Sequence, residues 1–219
     1  MDIHKSALII AGGTLNIEFA KAYLKQHSYD CYIAVDNGLA YMEQLGLMPE
    51  VMVGDFDTAS EELVTRYKET QNITIISLKP EKDETDMESA IDYTIRMGYN
   101  KVVLLAAMGG RFDHTLANLH MLYRLLQNGI HGNMVDECNN IYLLQSSHTL
   151  KKEKLHGNYI SLLPFTSQVT NLTLDGFKYP LENYCLKAGA SIGVSNEAVE
   201  SECNITFQEG VLIVVEARD

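Results

Sequence analysis

The chain has 219 residues, 46% hydrophobic and 21% charged, with a formal net charge of −12. That length suits one large domain or two small ones with an adequate core. The acidic excess argues against nucleic acid or an anionic membrane as a surface partner, although a bound cation can still admit a polyphosphate. Cys31, Cys138, Cys185 and Cys203 lack C-x-x-C spacing, and no apolar run approaches a membrane span. With no signal peptide to read, reduced thiols in a cytoplasmic protein are the expectation. The seven His are scattered without metal-ligand spacing.

Ser6–Ala11 predicts a buried strand, followed by Gly12-Gly13-Thr14 and a helix from about Ile17 to Gln26. Strand, glycine turn and helix together can offer backbone N–H groups to a phosphate. The G-x-x-x-x-G-K-[ST] pattern is absent, so this is no Walker loop, and a plain tight turn is the competing account. Cys31–Val35 is a second strand, ending in Asp36-Asn37-Gly38, with a short helix to Leu45 that Gly46 stops.

Val51-Met52-Val53-Gly54 then leads into Asp55-Phe56-Asp57-Thr58, a strand that ends on two carboxylates one residue apart. Thr58 with Glu61 forms a capping box for a helix over Ser60–Glu69. Crowded anionic side chains in such a turn suit a divalent cation, because Mg²⁺ takes carboxylates plus phosphate oxygens. A solvated acidic turn that merely caps the helix is the alternative.

Ile73–Leu78 is a fourth strand, and Lys82-Asp83-Glu84-Thr85-Asp86 precedes a helix whose Thr85 and Glu88 again form a capping box. Met87, Ala90, Ile91, Thr94 and Ile95 face inward at helical spacing, and Gly98 ends the helix. Asp86 in the first turn also suits the helix dipole without any ligand. Lys101–Ala106 is a fifth strand, closed by Met108-Gly109-Gly110-Arg111-Phe112-Asp113-His114. A helix over about His114–Gln127 should bury Leu116, Leu119, Leu122, Leu125 and Leu126, and Gly132–Val135 supplies another strand. This alternation predicts a doubly wound parallel sheet with helices on both faces.

From about Asn139 the helical period vanishes. Ile141–Gln145, Thr149–Lys154, Tyr159–Leu163, Val169–Leu174, Tyr184–Lys187, Cys203–Phe207 and Val211–Val215 read as short strands between turn residues, which predicts an antiparallel β-sandwich or barrel. The boundary divides residues 1–138 from 139–219.

Asp36, Asp55, Asp57, Asp83, Asp86 and Asp113 each follow a predicted parallel strand at its carboxyl end, the edge where open α/β sheets bind ligands. Gly12, Gly13, Gly38, Gly109 and Gly110 lie along the same edge and permit close backbone approach. Arg111 offers either a charge-assisted phosphate contact or a helix-start ion pair. Carboxylates with glycines suggest Mg²⁺ holding a nucleotide polyphosphate.

The runs GDFDT (54–58), KDETD (82–86) and GGRFDH (109–114), followed by LAN (116–118), resemble the thiamine pyrophosphokinase family, also called thiamine diphosphokinase. FKYPL (177–181) and SIGVSNE (191–197) match that family's second domain, so the resemblance runs from the first strand to the last. It implies pyrophosphoryl transfer from ATP to the hydroxyl of thiamine, giving thiamine diphosphate and AMP. A homodimer is also implied, with thiamine between the α/β domain of one subunit and the β domain of the other.

Carried over by position, Asp55, Asp57, Asp83, Asp86 and Asp113 would hold Mg²⁺ and the triphosphate. Asp36, Arg111 and Asn118 would line the nucleotide site with the glycines, while Ser195 and Asn196 would hold thiamine. Asp57 and Asp86 are both open as the group that takes the alcohol proton. Thr58 stands where serine is frequent in the family. Relatives also place an aromatic residue soon after the Ser-Asn pair, whereas Ala198-Val199 follow Glu197 here and the chain has no Trp. Stacking on the substrate must therefore come from another residue.

Two alternatives compete. Asp55-Phe56-Asp57 opens like the D-x-D-x-T motif of aspartyl-nucleophile phosphatases, but Ala59 occupies the threonine position. A non-catalytic nucleotide or thiamine sensor is the other, against which the intact acidic set argues.

Overall fold

Unbroken apolar runs form the inner strands, because a strand covered by helices on both faces has no side to give to water. In the computed structural model, which describes residues 5–56, 61–70, 72–77 and 85–219, the chain divides into two compact units, Met1–Glu137 and Cys138–Asp219. The first unit contains β1 (Ser6–Ile10), α1 (Ile17–Leu24), β2 (Cys31–Val35), α2 (Gly38–Leu45), β3 (Val51–Gly54), α3 (Glu61–Lys68), β4 (Thr74–Ser77), α4 (Asp86–Arg96), β5 (Lys101–Leu105), α5 (Phe112–Gln127) and β6 (His131–Val135).

Its strands are all parallel and run in the order β4-β3-β2-β1-β5-β6. Alternate residues point to opposite faces of a strand. Leu8, Ile10, Ala34, Met52, Val103 and Leu105 therefore share one core with Leu39 and Met42 of α2 and Val64 and Tyr67 of α3, onto which Phe19 and Tyr23 of α1 pack. The opposite face, with Ala7, Ile9, Ile33 and Val51 fully buried, is covered by α4, which packs on β2 and β3, while α5 packs on β6. Burying one such aliphatic side chain contributes about 1.5–3 kcal/mol.

Helix ends follow the local chemistry. Asn16 caps α1 by accepting from the Phe19 N–H, and Thr85 caps α4 by accepting from the Glu88 N–H at 3.1 Å. Gly46, Gly98 and Gly129 follow α2, α4 and α5 in the left-handed region, with φ of 67°, 70° and 71°. The expected capping box of Thr58 and Glu61 involves a residue outside the described ones. One expectation needs correction: of the leucines expected to be buried, Leu122 and Leu125 are, Leu119 and Leu126 are partly so, and Leu116 is 43% exposed. The opening turns of α5 belong to the sheet edge rather than to the core.

The second unit contains β7 (Asn139–Leu144), β8 (His148–Lys151), β9 (Tyr159–Pro164), β10 (Gln168–Asp175), β11 (Leu181–Lys187), β12 (Glu202–Thr206) and β13 (Leu212–Ala217). Antiparallel ladders join β7-β13-β9 and β11-β10-β12-β8. Leu150, Ile160, Leu162, Val169, Leu172, Leu186, Ile205, Leu212 and Val214 from both ladders form one core, the arrangement of a sandwich. The predicted strand Thr149–Lys154 is shorter than expected: β8 ends at Lys151, and Lys152–Lys154 form a 3-10 turn.

Candidate active site

In the first unit the chain runs outward from β1 to β4 and then returns to lay β5 on the other side of β1. The connections leaving β1 and β5 thus part toward opposite faces, which opens a crevice at their carboxyl ends. Two glycine turns meet there. The N–H groups of Ala11, Gly13 and Thr14 donate to the carbonyls of Leu105, Ala106 and Met108 at 2.9, 2.8 and 3.1 Å, which carries the pairing beyond the strand ends. A Cβ on Gly13 would lie 2.4 Å from the Ala106 carbonyl oxygen, so no larger residue fits. Gly109, at φ 90°, packs as closely on Thr14. From the other side the Tyr41 hydroxyl donates to the Gly13 carbonyl at 2.9 Å.

The resulting cleft has a volume of about 820 Å³. Of the residues expected to line a nucleotide site, Gly12, Gly13, Asp36, Gly109, Gly110, Arg111 and Asn118 border it, together with Asp86. Asn118 donates through Nδ2 to the Ala107 carbonyl at 2.8 Å and so fixes the turn after β5. Gly38 does not border the cleft: a Cβ there would meet the Ile10 carbonyl oxygen at 1.9 Å, so its role is to let α2 dock on β1. Thr14, Asn37, Tyr41, Thr85 and His114 also line the cleft and escaped the sequence reading. The cap position of Thr85, directly before Asp86, was the available signal for one of them.

Backbone strain concentrates at this edge. Asp36, Phe56 and Ala106 adopt φ of 48°, 61° and 53° just after β2, β3 and β5. Left-handed conformations of non-glycine residues cost about 1–3 kcal/mol each, and they cluster where geometry serves function. Asp36 shows what its conformation achieves. Its Oδ1 lies so close to Gly54 that a Cβ there would sit 2.1 Å away. The carboxyl group is thereby held against the end of β3, one residue from Asp55.

The carboxylates expected to hold metal are distributed unevenly. Asp86 stands in the first turn of α4 on the cleft wall, whereas Asp55 is exposed beyond β3 and does not border the cleft. Asp113 is exposed and accepts from Arg111 Nε at 3.1 Å, from Arg111 Nη2 and from the His114 N–H at 2.9 Å. The Arg111 hydrogen bonds are the main reason that its carboxyl falls to about 2, with the His114 N–H and the guanidinium charge adding to the effect. Asp57 and Asp83 lie outside the described residues. Among the described residues no three His, Cys, Asp or Glu side chains come together as a metal site. The expected donors are carboxylate oxygens throughout, the donor chemistry that Mg²⁺ requires.

In the second unit, the stretch from Gly193 to Asn196 lies along β9. Asn196 and Ile160 exchange backbone hydrogen bonds at 3.0 and 2.8 Å, and the Ser195 N–H donates to Ser161 Oγ at 3.0 Å. Ser195 adopts φ 57° and is exposed, with Ile192 and Val194 also exposed beside it. Asn196 is instead 3% exposed, with its amide engaged by the backbone of Tyr179. The Tyr179 ring is 55% exposed, an aromatic surface next to the Ser-Asn pair in space though not in sequence.

Comparison with known proteins covers both units. The profile described as "Thiamin pyrophosphokinase, catalytic domain" matches residues 21–133, and "Thiamin pyrophosphokinase, vitamin B1 binding domain" matches residues 147–212. The chain is 31% identical over 217 residues to a thiamine pyrophosphokinase of Bacillus subtilis (strain 168), covering 98% of this chain and 100% of the relative. A crystal structure of thiamine pyrophosphokinase from Bacillus subtilis superimposes with a TM-score of 0.87 at 28% identity, covering 98% of this chain and 100% of that one. A thiamin pyrophosphokinase structure from Geobacillus thermodenitrificans gives 0.84 at 28% identity, covering 98% of each chain. A glycine-lined cleft at the sheet's switch point, followed by a β unit that matches a vitamin B1 binding domain, thus has one consistent account: the chain belongs to the thiamine pyrophosphokinase family.

Proposed function

We propose that this chain binds ATP in the cleft of its first unit, takes thiamine as acceptor, and transfers the pyrophosphoryl group between them. The thiamine hydroxyl oxygen attacks the β-phosphorus, the bond from that phosphorus to the α–β bridging oxygen breaks, and AMP departs with that oxygen. The alcohol proton passes to a carboxylate, for which Asp86 and Asp57 are the candidates. Transfers of this kind depend on positioning and charge neutralisation rather than on a covalent enzyme intermediate. Gly12, Gly13, Gly109 and Gly110 let the backbone approach the phosphates, and Arg111 and Asp86 stand at the cleft wall. Asp55, Asp57, Asp83, Asp86 and Asp113 are the residues proposed to hold Mg²⁺. When bound there, the cation offsets carboxylate and triphosphate charge and stabilises departing AMP. Thiamine is assigned to the second unit, beside the stretch that holds Ser195 and Asn196, with Tyr179 as the stacking residue that the sequence left unnamed.

The observation that carries this reading is the cleft of about 820 Å³ between two interlocked glycine turns, ample for a nucleotide. The assembly proposed is a homodimer whose sites draw on both copies. The cysteines Cys31, Cys138, Cys185 and Cys203 form no disulfides, which fits the proposed cytoplasmic location, and no helix among the described residues is long and apolar enough to cross a membrane. Purified protein given ATP, Mg²⁺ and thiamine should yield AMP and thiamine diphosphate in equal amounts, identified by mass. ADP with thiamine monophosphate would overturn phosphate bookkeeping of this kind, and thiamine binding without AMP release would leave only a sensor.

A further inference from the structure

Asn196 follows the exposed Ser195, but its own side chain is buried and engaged by backbone. Oδ1 accepts from the Tyr179 N–H at 2.9 Å, and Nδ2 donates to the Tyr179 carbonyl at 2.8 Å. Both main-chain polar groups of one residue thus end on a single amide, which makes a rung of a β ladder with a side chain in place of a peptide. The rung continues a short pairing in which Phe177 bridges Ala198 and the Lys178 N–H donates to the Glu197 carbonyl at 2.9 Å. Oδ1 also accepts from the Glu197 N–H at 2.9 Å, which occupies both of its lone pairs. The Asn196 main chain is itself fixed to Ile160, which is fully buried in β9.

What this frame carries outward is the Tyr179 ring. Pro180 follows and restricts Tyr179 to extended backbone, so the amide clamp and the proline fix the same residue from two sides. Lys178 Nζ lies 5.6 Å from the ring centroid and is ion-paired with Glu197. That pairing offsets an ammonium charge that would otherwise oppose a cationic ligand on the ring.

We infer that Asn196 is a positioning residue for thiamine recognition, acting through Tyr179 rather than by contact with thiamine. The inference rests on the thiamine reading above and assigns the stacking contact to Tyr179. Without the clamp the Tyr179 N–H and carbonyl turn to water and the ring loses its fixed pose, so thiamine affinity falls while ATP binding in the other unit is untouched.

The test is a double-mutant cycle on the KM for thiamine at saturating ATP. Asn196→Ala and Tyr179→Ala should each raise it about tenfold, and the double variant should rise no further than the worse single one. The KM for ATP should stay within about twofold throughout, a split that general damage to the fold would not give. Multiplication to about a hundredfold in the double variant would make Asn196 a thiamine ligand in its own right, and an unchanged KM in Tyr179→Ala would overturn the role of the ring. Asn196→Asp guards against a folding failure, since it keeps the Oδ1 acceptor for the Tyr179 and Glu197 N–H groups while a carboxylate oxygen takes the place of the donor to the Tyr179 carbonyl. It should raise the KM less than Asn196→Ala and add nothing in the Tyr179→Ala background.

Binding can be read without turnover, because the chain has no Trp and Tyr179→Trp supplies one emitter. Thiamine should quench it, and Asn196→Asp in that background should move the quench to higher thiamine. No quenching overturns the inference. Quenching without formation of thiamine diphosphate by the wild-type chain fails the reaction alone.

Discussion

Gly13 and Gly38 follow the neighbouring strands β1 and β2 at the same sheet edge, and the contacts a methyl group would make separate their roles. On Gly38 a Cβ would strike the Ile10 carbonyl oxygen at 1.9 Å, beneath α2 and away from the cleft. Gly38→Ala should therefore destabilise the fold by about 1–3 kcal/mol, seen as a lower Tm. On Gly13 the clash is with the Ala106 and Met108 carbonyls, at 2.4 and 2.8 Å, inside the cleft. Gly13→Ala should raise the KM for ATP about tenfold or more through displacement of the paired turns. Equal effects of both substitutions on Tm and KM would contradict this division of roles.

Asp113 offers a test by titration. Its carboxyl is held at about 2 by Arg111, below the ordinary 3.8. A folded-state value below the unfolded one stabilises fully above about pH 4, and the contribution is lost as pH falls toward 2. Because the pair is exposed, that contribution is small and weakens with salt. In Arg111→Ala, NMR titration should find the Asp113 carboxyl returned toward its ordinary range. Retention near 2 would assign the effect to the His114 N–H instead.

Among the elements, α4 and α5 each present cleft residues near their first turns, Asp86 on one and His114 and Asn118 on the other. Their relative placement is tied by one side chain. Arg124 of α5 donates Nη1 to Glu88 and Nη2 to Asp92, both at 2.7 Å, and those two acids lie one helical turn apart on α4. Partial exposure keeps the bridge modest, so Arg124→Ala should cost about 1 kcal/mol. The loss should be larger at low salt than at high salt, measured by thermal unfolding. A salt-independent loss would mean that the aliphatic stem of Arg124, not its charge, joins the helices.

For the whole molecule, the proposed ATP groups lie in the first unit and Tyr179, Ser195 and Asn196 in the second. If each site draws on two copies, mixing recovers function from damaged chains. Asp86→Asn and Asn196→Ala chains, each weak alone at low thiamine, form mixed dimers in about half of random pairings, and each such dimer has one intact site of two. Roughly a quarter of normal activity should then return once subunit exchange is verified with differently tagged chains. No recovery after complete exchange would place both groups in one copy.

Much of this protein follows from local order in the chain. Apolar runs such as Ala7–Ile10 and Val102–Leu105 determine buried strands, and Thr85, Gly46, Gly98 and Gly129 determine where helices begin and end, because these signals act over one or two turns. The βα alternation makes the strands parallel, which places Asp36, Asp55, Asp86 and Asp113, among the described residues, beyond the carboxyl ends of strands. Tertiary structure decided the rest. The return of β5 to the side of β1 sets the cleft between Gly13 and Gly109, and the close approach of Asp36 to Gly54 joins the ends of two strands. The leucine period of α5 did not foretell that Leu116 would lie exposed at the sheet edge. Nor did a Ser-Asn pair reveal that Asn196 turns inward to hold Tyr179, 17 residues earlier. Each of these contacts joins residues whose separation along the chain carries no periodic signal, and only packing brings them together.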